Sequence, residues 1–204
     1  MRRYWSIALA LFLAASALSG CTAAPKAEKQ PGMYIEAAQL SQEEKKLADL
    51  LGANTGQEIF DFSLDDSVRS MRISTYELID GKWTMTDGSG MQFEDTKGRI
   101  ALEFDKIAEG LRVAVQEENS GGASAYRTEP DTEFSGMSCA TSTLSDRTEV
   151  VYEEEIPLVV QILTTKNEIT SYDVEYFGHP EEYEKFGYEH VYAITVRFSQ
   201  SPVS

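Results

Sequence analysis

From Phe60 to Phe198, run after run of this chain places an apolar residue at every second position, and that period limits the fold more than any other feature. Successive side chains of an extended strand point to opposite faces, so the alternation describes strands with one dry face rather than amphipathic helices. Phe60, Phe62 and Leu64 alternate with Asp61 and Ser63. Met71, Ile73 and Thr75 alternate with Arg72 and Ser74. The same pattern returns at Ile100, Leu102 and Phe104, and again at Leu111, Val113 and Val115. Asp80-Gly81 stands between Tyr76–Ile79 and Lys82–Met85, a pairing that predicts a tight hairpin. Gly88, Gly90, Gly98 and Gly110 punctuate the runs at the spacing of short antiparallel strands.

The stretch from Ile156 to Leu163 is apolar on both faces, which predicts a strand covered from both sides. A turn at Lys166-Asn167 leads into an extended stretch over 169–176, and a last strand runs from Tyr188 to Phe198. Residues 117–135 form the longest polar stretch and read as a mobile loop. Two helices interrupt the pattern. Ser41 with Glu44 three residues on has the spacing of a capping box, followed by an apolar stripe of Leu47, Leu50 and Leu51 and a terminating Gly52. Pro180 to Phe186 reads as a short helix that opens on proline and is closed by Gly187. The fold class is therefore mainly β: an antiparallel β-sandwich or jelly-roll with one N-terminal helix and a short helix near 180–186, with a β-barrel as the alternative.

The N-terminus follows different rules. Arg2 and Arg3 precede a continuous apolar and small-residue run from Ser6 to Leu18, which is short for a bilayer span and has the anatomy of a secretory signal. It ends in Leu18-Ser19-Gly20-Cys21, which resembles the lipobox of bacterial lipoproteins. The resemblance covers the signal region alone. It implies cleavage after Gly20, a diacylglycerol on the Cys21 thiol, and residence at the extracytoplasmic face of a cell membrane. Two acyl chains give a firm anchor, since each buried methylene contributes about 0.8 kcal/mol. The domain plan that follows is a signal peptide over 1–20, a flexible tether over 21–39 rich in small residues, charge and proline, and a single β-rich domain over 40–204.

Charge narrows the partners. With 18 basic and 34 acidic residues the chain carries a formal charge of −16, and loss of Arg2 and Arg3 with the signal makes it two units more negative. Such a surface repels nucleic acid and favours cationic or basic partners. If Cys21 is lipidated, Cys139 has no intrachain partner, so the core carries the stability without disulfides. Cys139 lies among small residues in an acidic chain, a setting that suits a small buried hydrophobe better than a nucleophile.

Motifs for common catalysis are absent: the sequence contains no G-x-S-x-G, H-E-x-x-H, C-x-x-C or phosphate-cradling glycine loop. The densest chemistry is at Tyr172–Tyr192, where seven aromatic residues and both histidines, His179 and His190, are interleaved with five glutamates. Period two places Tyr188, His190 and Tyr192 on one face of the last strand, and Tyr183 shares a side of the short helix with Phe186. Tyrosines combine a flat apolar face with a hydrogen-bonding tip, so Tyr183, Tyr188, His190 and Tyr192 are the candidate ligand-binding residues, for a glycan, peptide or protein. His179, Glu182 and His190 are weaker candidates for a divalent metal, at a spacing that matches no known constellation. Trp83 is in phase with Met85 and is expected in the core. The sequence calls for no cofactor and assigns no catalytic residue. The expected function is a non-enzymatic binding or envelope-interaction module; the alternative is a carboxylate-dependent hydrolase such as a glycosidase, which needs only two acids in a cleft.

Overall fold

The computed structural model of the protein describes residues 32–50, 56–92, 95–129 and 134–203. Leu18-Ser19-Gly20-Cys21, read above as resembling a lipobox, and Leu51 and Gly52 lie outside them. Residues from Pro31 to Ser204 form one compact unit. It is an antiparallel β-sandwich of two open sheets, one of six strands and one of five, so the alternative of a closed barrel does not hold.

The strands are β1 (Tyr34–Ala37), β2 (Gln57–Ser63), β3 (Ser70–Ile79), β4 (Lys82–Gln92), β5 (Lys97–Glu103), β6 (Gly110–Glu117), β7 (Gly121–Arg127), β8 (Ser138–Thr143), β9 (Thr148–Glu149), β10 (Ile156–Thr164) and β11 (His190–Ser199). The first sheet has the order β7-β6-β5-β2-β1-β9 and the second β4-β3-β11-β10-β8. Helices α1 (Gln42–Leu50) and α2 (Pro180–Glu184) and two 3-10 turns, Ile107–Glu109 and Val174–Gly178, complete it. Among the described residues, no helix is long and apolar enough to cross a membrane.

The alternation in the sequence becomes the core. Phe60, Phe62, Ile100, Leu102, Val113 and Val115 from the first sheet meet Met71, Ile73, Ile194, Val196 and Phe198 from the second, all buried. Phe62 packs on Phe198 with ring centroids 5.8 Å apart. The Asp80-Gly81 hairpin forms as expected, with φ of 48° and 71° at the two turn residues, the left-handed pair that a two-residue turn of this hand requires.

The second sheet is covered on its other face as well. The turn Val174–Gly178 lies on β10, and with helix α2 it packs on Tyr76 of β3 and Trp83 of β4; Trp83 stacks on Phe177 at 4.8 Å while its Nε1–H donates to the Phe177 carbonyl at 2.8 Å. This cap is why β10 and β11 are apolar on both faces.

Several expectations change. Ile35 of β1 is fully buried, so ordered structure begins inside the span read as tether over 21–39. The polar stretch 117–135 is not one loop: β7 occupies 121–127 and pairs with β6, as an edge strand of small residues that carries no apolar alternation. The expected extended stretch over 169–176 is irregular chain that ends in a 3-10 turn. The capping box forms, with Ser41 N–H donating to Glu44 Oε2 at 2.7 Å and Glu44 N–H to Ser41 Oγ at 3.2 Å. Yet Leu47 and Leu50 on the same helix are exposed, at 57% and 81%. Cys139 is exposed rather than buried, because β8 is the outermost strand of its sheet. Trp83 is partly buried under the cap, but Met85 is exposed at the edge strand β4.

Candidate functional site

The candidate aromatic residues separate onto the two faces of the second sheet. Register fixes this: Tyr192 pairs with Glu77 and Ile194 with Thr75, and these face the first sheet, while Tyr76, Leu78 and Ala193 face the helical cap. Tyr183 belongs to the cap. It is 1% exposed, edge-on to Trp83 at 6.1 Å and to Tyr172 at 5.7 Å, and it has no free surface to offer a ligand. Tyr188 precedes β11, whose first residue is His190, so it leaves the alternation. It stacks on Phe186 at 5.5 Å, and its hydroxyl accepts from Thr170 N–H at 2.7 Å and donates to the Thr170 carbonyl at 3.2 Å. Tyr183 is thus packed away in the cap, while Tyr188 is half-buried and borders a shallow depression with Lys166, Thr170 and Phe186.

His190 and Tyr192 are different. They stand two apart on β11 with nearly parallel rings, 6.1 Å between centroids and 9° between planes. Both line a cleft of about 290 Å³ between the two sheets, at the end where β7 faces β3 and β4. Glu77 of β3, Thr86 and Asp87 of β4, Tyr126 of β7 and Thr128 just beyond it complete the polar lining, with Ile107, Ala108 and Phe134 as the apolar part. Phe134 is buried and meets both His190 (5.3 Å, 88°) and Tyr192 (6.4 Å, 89°) edge-on.

The polar groups fall into three hydrogen-bonded sets, around Glu77, around Thr75 and at Asp87. Tyr192 O–H donates to Glu77 Oε1 at 3.0 Å, and His190 Nδ1 lies 3.3 Å from the same oxygen. Tyr126 O–H donates to Thr75 Oγ1 at 3.0 Å, tying edge strand β7 to the opposite sheet. The Thr86 hydroxyl donates to the Thr75 carbonyl at 3.2 Å. Asp87 Oδ1 accepts the N–H of Gly88 at 2.6 Å. Burial pushes the phenols of Tyr126 and Tyr192 up from their usual value, Asp87 adding to the first and Glu77 to the second. Both hydroxyls thus stay protonated and act as donors at any physiological pH.

The turn at Ile107 is held across the sandwich by a buried side chain. Gln161 of β10 accepts the Ile107 N–H on Oε1 at 2.9 Å and donates from Nε2 to the Asp105 carbonyl at 3.0 Å. This fixes one wall of the cleft to the strand next to β11.

The metal candidates do not converge. His179 is exposed and pairs with Glu181 at 3.3 Å, Glu182 pairs with Lys185, and His190 pairs with Glu77. Among the described residues, no three histidine, cysteine or carboxylate side chains come close enough to share an ion. Glu77, Asp87 and Tyr126 escape the sequence reading. Tyr126 lies in the polar stretch, and the carboxylates of Glu77 and Asp87 look there like the wet side of any hairpin. Comparison with known proteins adds no relative: no family model, curated protein or solved structure matches the chain.

Proposed function

We propose that the chain is a lipoprotein anchored through Cys21 at the extracytoplasmic face of a membrane, and that its sandwich is a non-enzymatic binding module. The ligand site is the cleft at Glu77, Tyr126, His190 and Tyr192. One observation carries this reading: a concave space at the rim between two sheets in which two carboxylates, a histidine and two tyrosines gather beside an apolar floor. Ligand sites have this make-up, mostly apolar or aromatic walls with a few convergent polar groups. A volume of about 290 Å³ suits a small molecule or one side chain of a larger partner.

The anchor rests on the apolar run and on Leu18-Ser19-Gly20-Cys21. Metabolic labelling with an alkyne-bearing palmitate analogue tests it: label enters the full chain and is absent from Cys21→Ala. Label missing from the wild-type chain removes the anchor from the proposal. For the cleft, a thermal-shift screen of the full chain against glycans, short peptides and amines is the first test, since a ligand of the native state raises the melting temperature by mass action.

A carboxylate-dependent hydrolase is the second reading, and it is favoured by Glu77 and Asp87 lining the same cleft. Its test is the release of nitrophenol from a panel of aryl glycosides. Turnover that disappears in both Glu77→Gln and Asp87→Asn would replace the binding module by an enzyme.

A further inference from the structure

We propose that the cleft takes a small organic cation, an alkylammonium or alkylguanidinium group, with its charge between Glu77 and Asp87 and its stem against Tyr126, Tyr192 and Phe134. The inference rests on the reading of the cleft as the ligand site and names the class of ligand.

The hydrogen-bond inventory of the lining points one way. Among the described residues four hydroxyls line the cleft, and three of them, on Thr86, Tyr126 and Tyr192, already donate to protein acceptors. A hydroxyl that has used its proton offers only lone pairs to a newcomer. The carboxylates have acceptor capacity left. Glu77 takes Tyr192 and His190 on Oε1, and Asp87 takes the Gly88 N–H on Oδ1, which leaves Oε2 and Oδ2 without a hydrogen bond among the described residues. No lysine or arginine among the described residues lines the cleft. Among the described residues, the one ion-pair partner of Glu77 is His190, and Asp87 has none.

A space with most of its hydroxyl protons committed, acceptors open and negative charge without a strong counter-cation selects a ligand that donates and is positive. An anion meets two carboxylates at close range. A neutral polyol donates hydrogen bonds but leaves the charge uncompensated, and charge-assisted bonds are roughly twice as strong as neutral ones. The walls add to the selection. Aromatic faces attract a cation placed over them, and Tyr126, Tyr192 and Phe134 give an aliphatic stem an apolar bed. The chain's formal charge of −16 raises the local concentration of cations around this rim.

Isothermal titration calorimetry of the full chain with agmatine, 1,5-diaminopentane, an acetylated Gly-Lys-Gly amide, 1,5-pentanediol, glutarate and cellobiose tests this. The expected result is binding of at least one cationic probe, with neither pentanediol nor glutarate bound. Glu77→Gln and Asp87→Asn should each weaken it by about tenfold or more, a loss of about 1.4 kcal/mol. Asp87 sits on an edge strand, so its variant keeps the test intact even if Glu77→Gln disturbs the core. Tighter binding of the peptide than of either amine identifies a protein side chain as the source, and the reverse a free amine. Binding of cellobiose or pentanediol in place of the cations, with both carboxylate variants unaffected, overturns the cation and leaves the cleft as a site. Cation binding that neither substitution changes overturns both. Silence from every probe also counts against the cation.

Discussion

The N–H of Ile107 donates to Gln161 Oε1 at 2.9 Å, a bond that crosses from a connection of one sheet to a strand of the other through the dry interior. Gln161 is 1% exposed and its amide also donates to the Asp105 carbonyl. Replacing it by leucine keeps most of the volume but leaves the Ile107 N–H buried without a partner, which costs about 1–3 kcal/mol. Gln161→Leu should lower the denaturant midpoint with an unchanged slope, and the cleft wall at Ile107 and Ala108 should gain hydrogen exchange. A midpoint equal to wild type would show that the bond carries no stability.

Tyr183 gives the opposite expectation. Its hydroxyl is buried with no hydrogen-bond partner among the described residues, while its ring packs against Trp83 and Tyr172. Burial pushes this phenol well above its ordinary pKa, so the group is a neutral donor with nothing to receive it. Tyr183→Phe removes that cost and keeps the packing, so stability should hold or rise by about 1 kcal/mol. Tyr183→Ala should lose about 3–5 kcal/mol, as large-to-small changes of buried aromatic residues do. Chemical denaturation of the two variants separates the roles of ring and hydroxyl. A destabilised Tyr183→Phe would mean that the hydroxyl has a partner in solution.

Acid should unfold this protein through its hydrogen-bonded glutamates. Thr164 and Thr165 hydroxyls donate to Glu189 and bring its pKa from 4.5 down to about 2. The Ser41 capping box does the same for Glu44, again to about 2. A carboxyl whose folded pKa is depressed contributes stability that is complete above the unfolded value and lost as pH falls through the folded one. The loss therefore belongs between about pH 4.5 and 2. Melting temperatures across that range should fall steeply for the wild type and less so for Glu189→Gln, the two curves converging near pH 2. Parallel curves would remove Glu189 as a cause.

How much of this was legible in the sequence depends on range. The capping box, the Asp80-Gly81 hairpin and the short helix behind Pro180 are local devices, and each can be read within a few residues. The sandwich followed from period two. The cleft did not, because it is made by pairings between distant residues: Glu77 meets Tyr192 only through the register of β3 with β11. Tyr126 stood in a strand of glycine, alanine and serine, where an edge position removes the need for an apolar face. The dense aromatic segment singled out His190 and Tyr192, which line the cleft, together with Tyr183 and Tyr188, which pack with the cap. The sheet runs between them, and sequence spacing does not show which side of a sheet a cap will take.

The cleft as a site for an organic cation is tested most directly by side-chain NMR of the full chain, with labelled tyrosine and histidine, titrated with agmatine and with the acetylated Gly-Lys-Gly amide. The signals of Tyr126, Tyr192 and His190 should move together and saturate at one concentration, while those of Tyr172, Tyr183 and Tyr188 on the far side of the sheet stay still. Movement confined to Tyr172, Tyr183 or Tyr188, or no movement of the cleft signals up to millimolar concentrations of either probe, would contradict it.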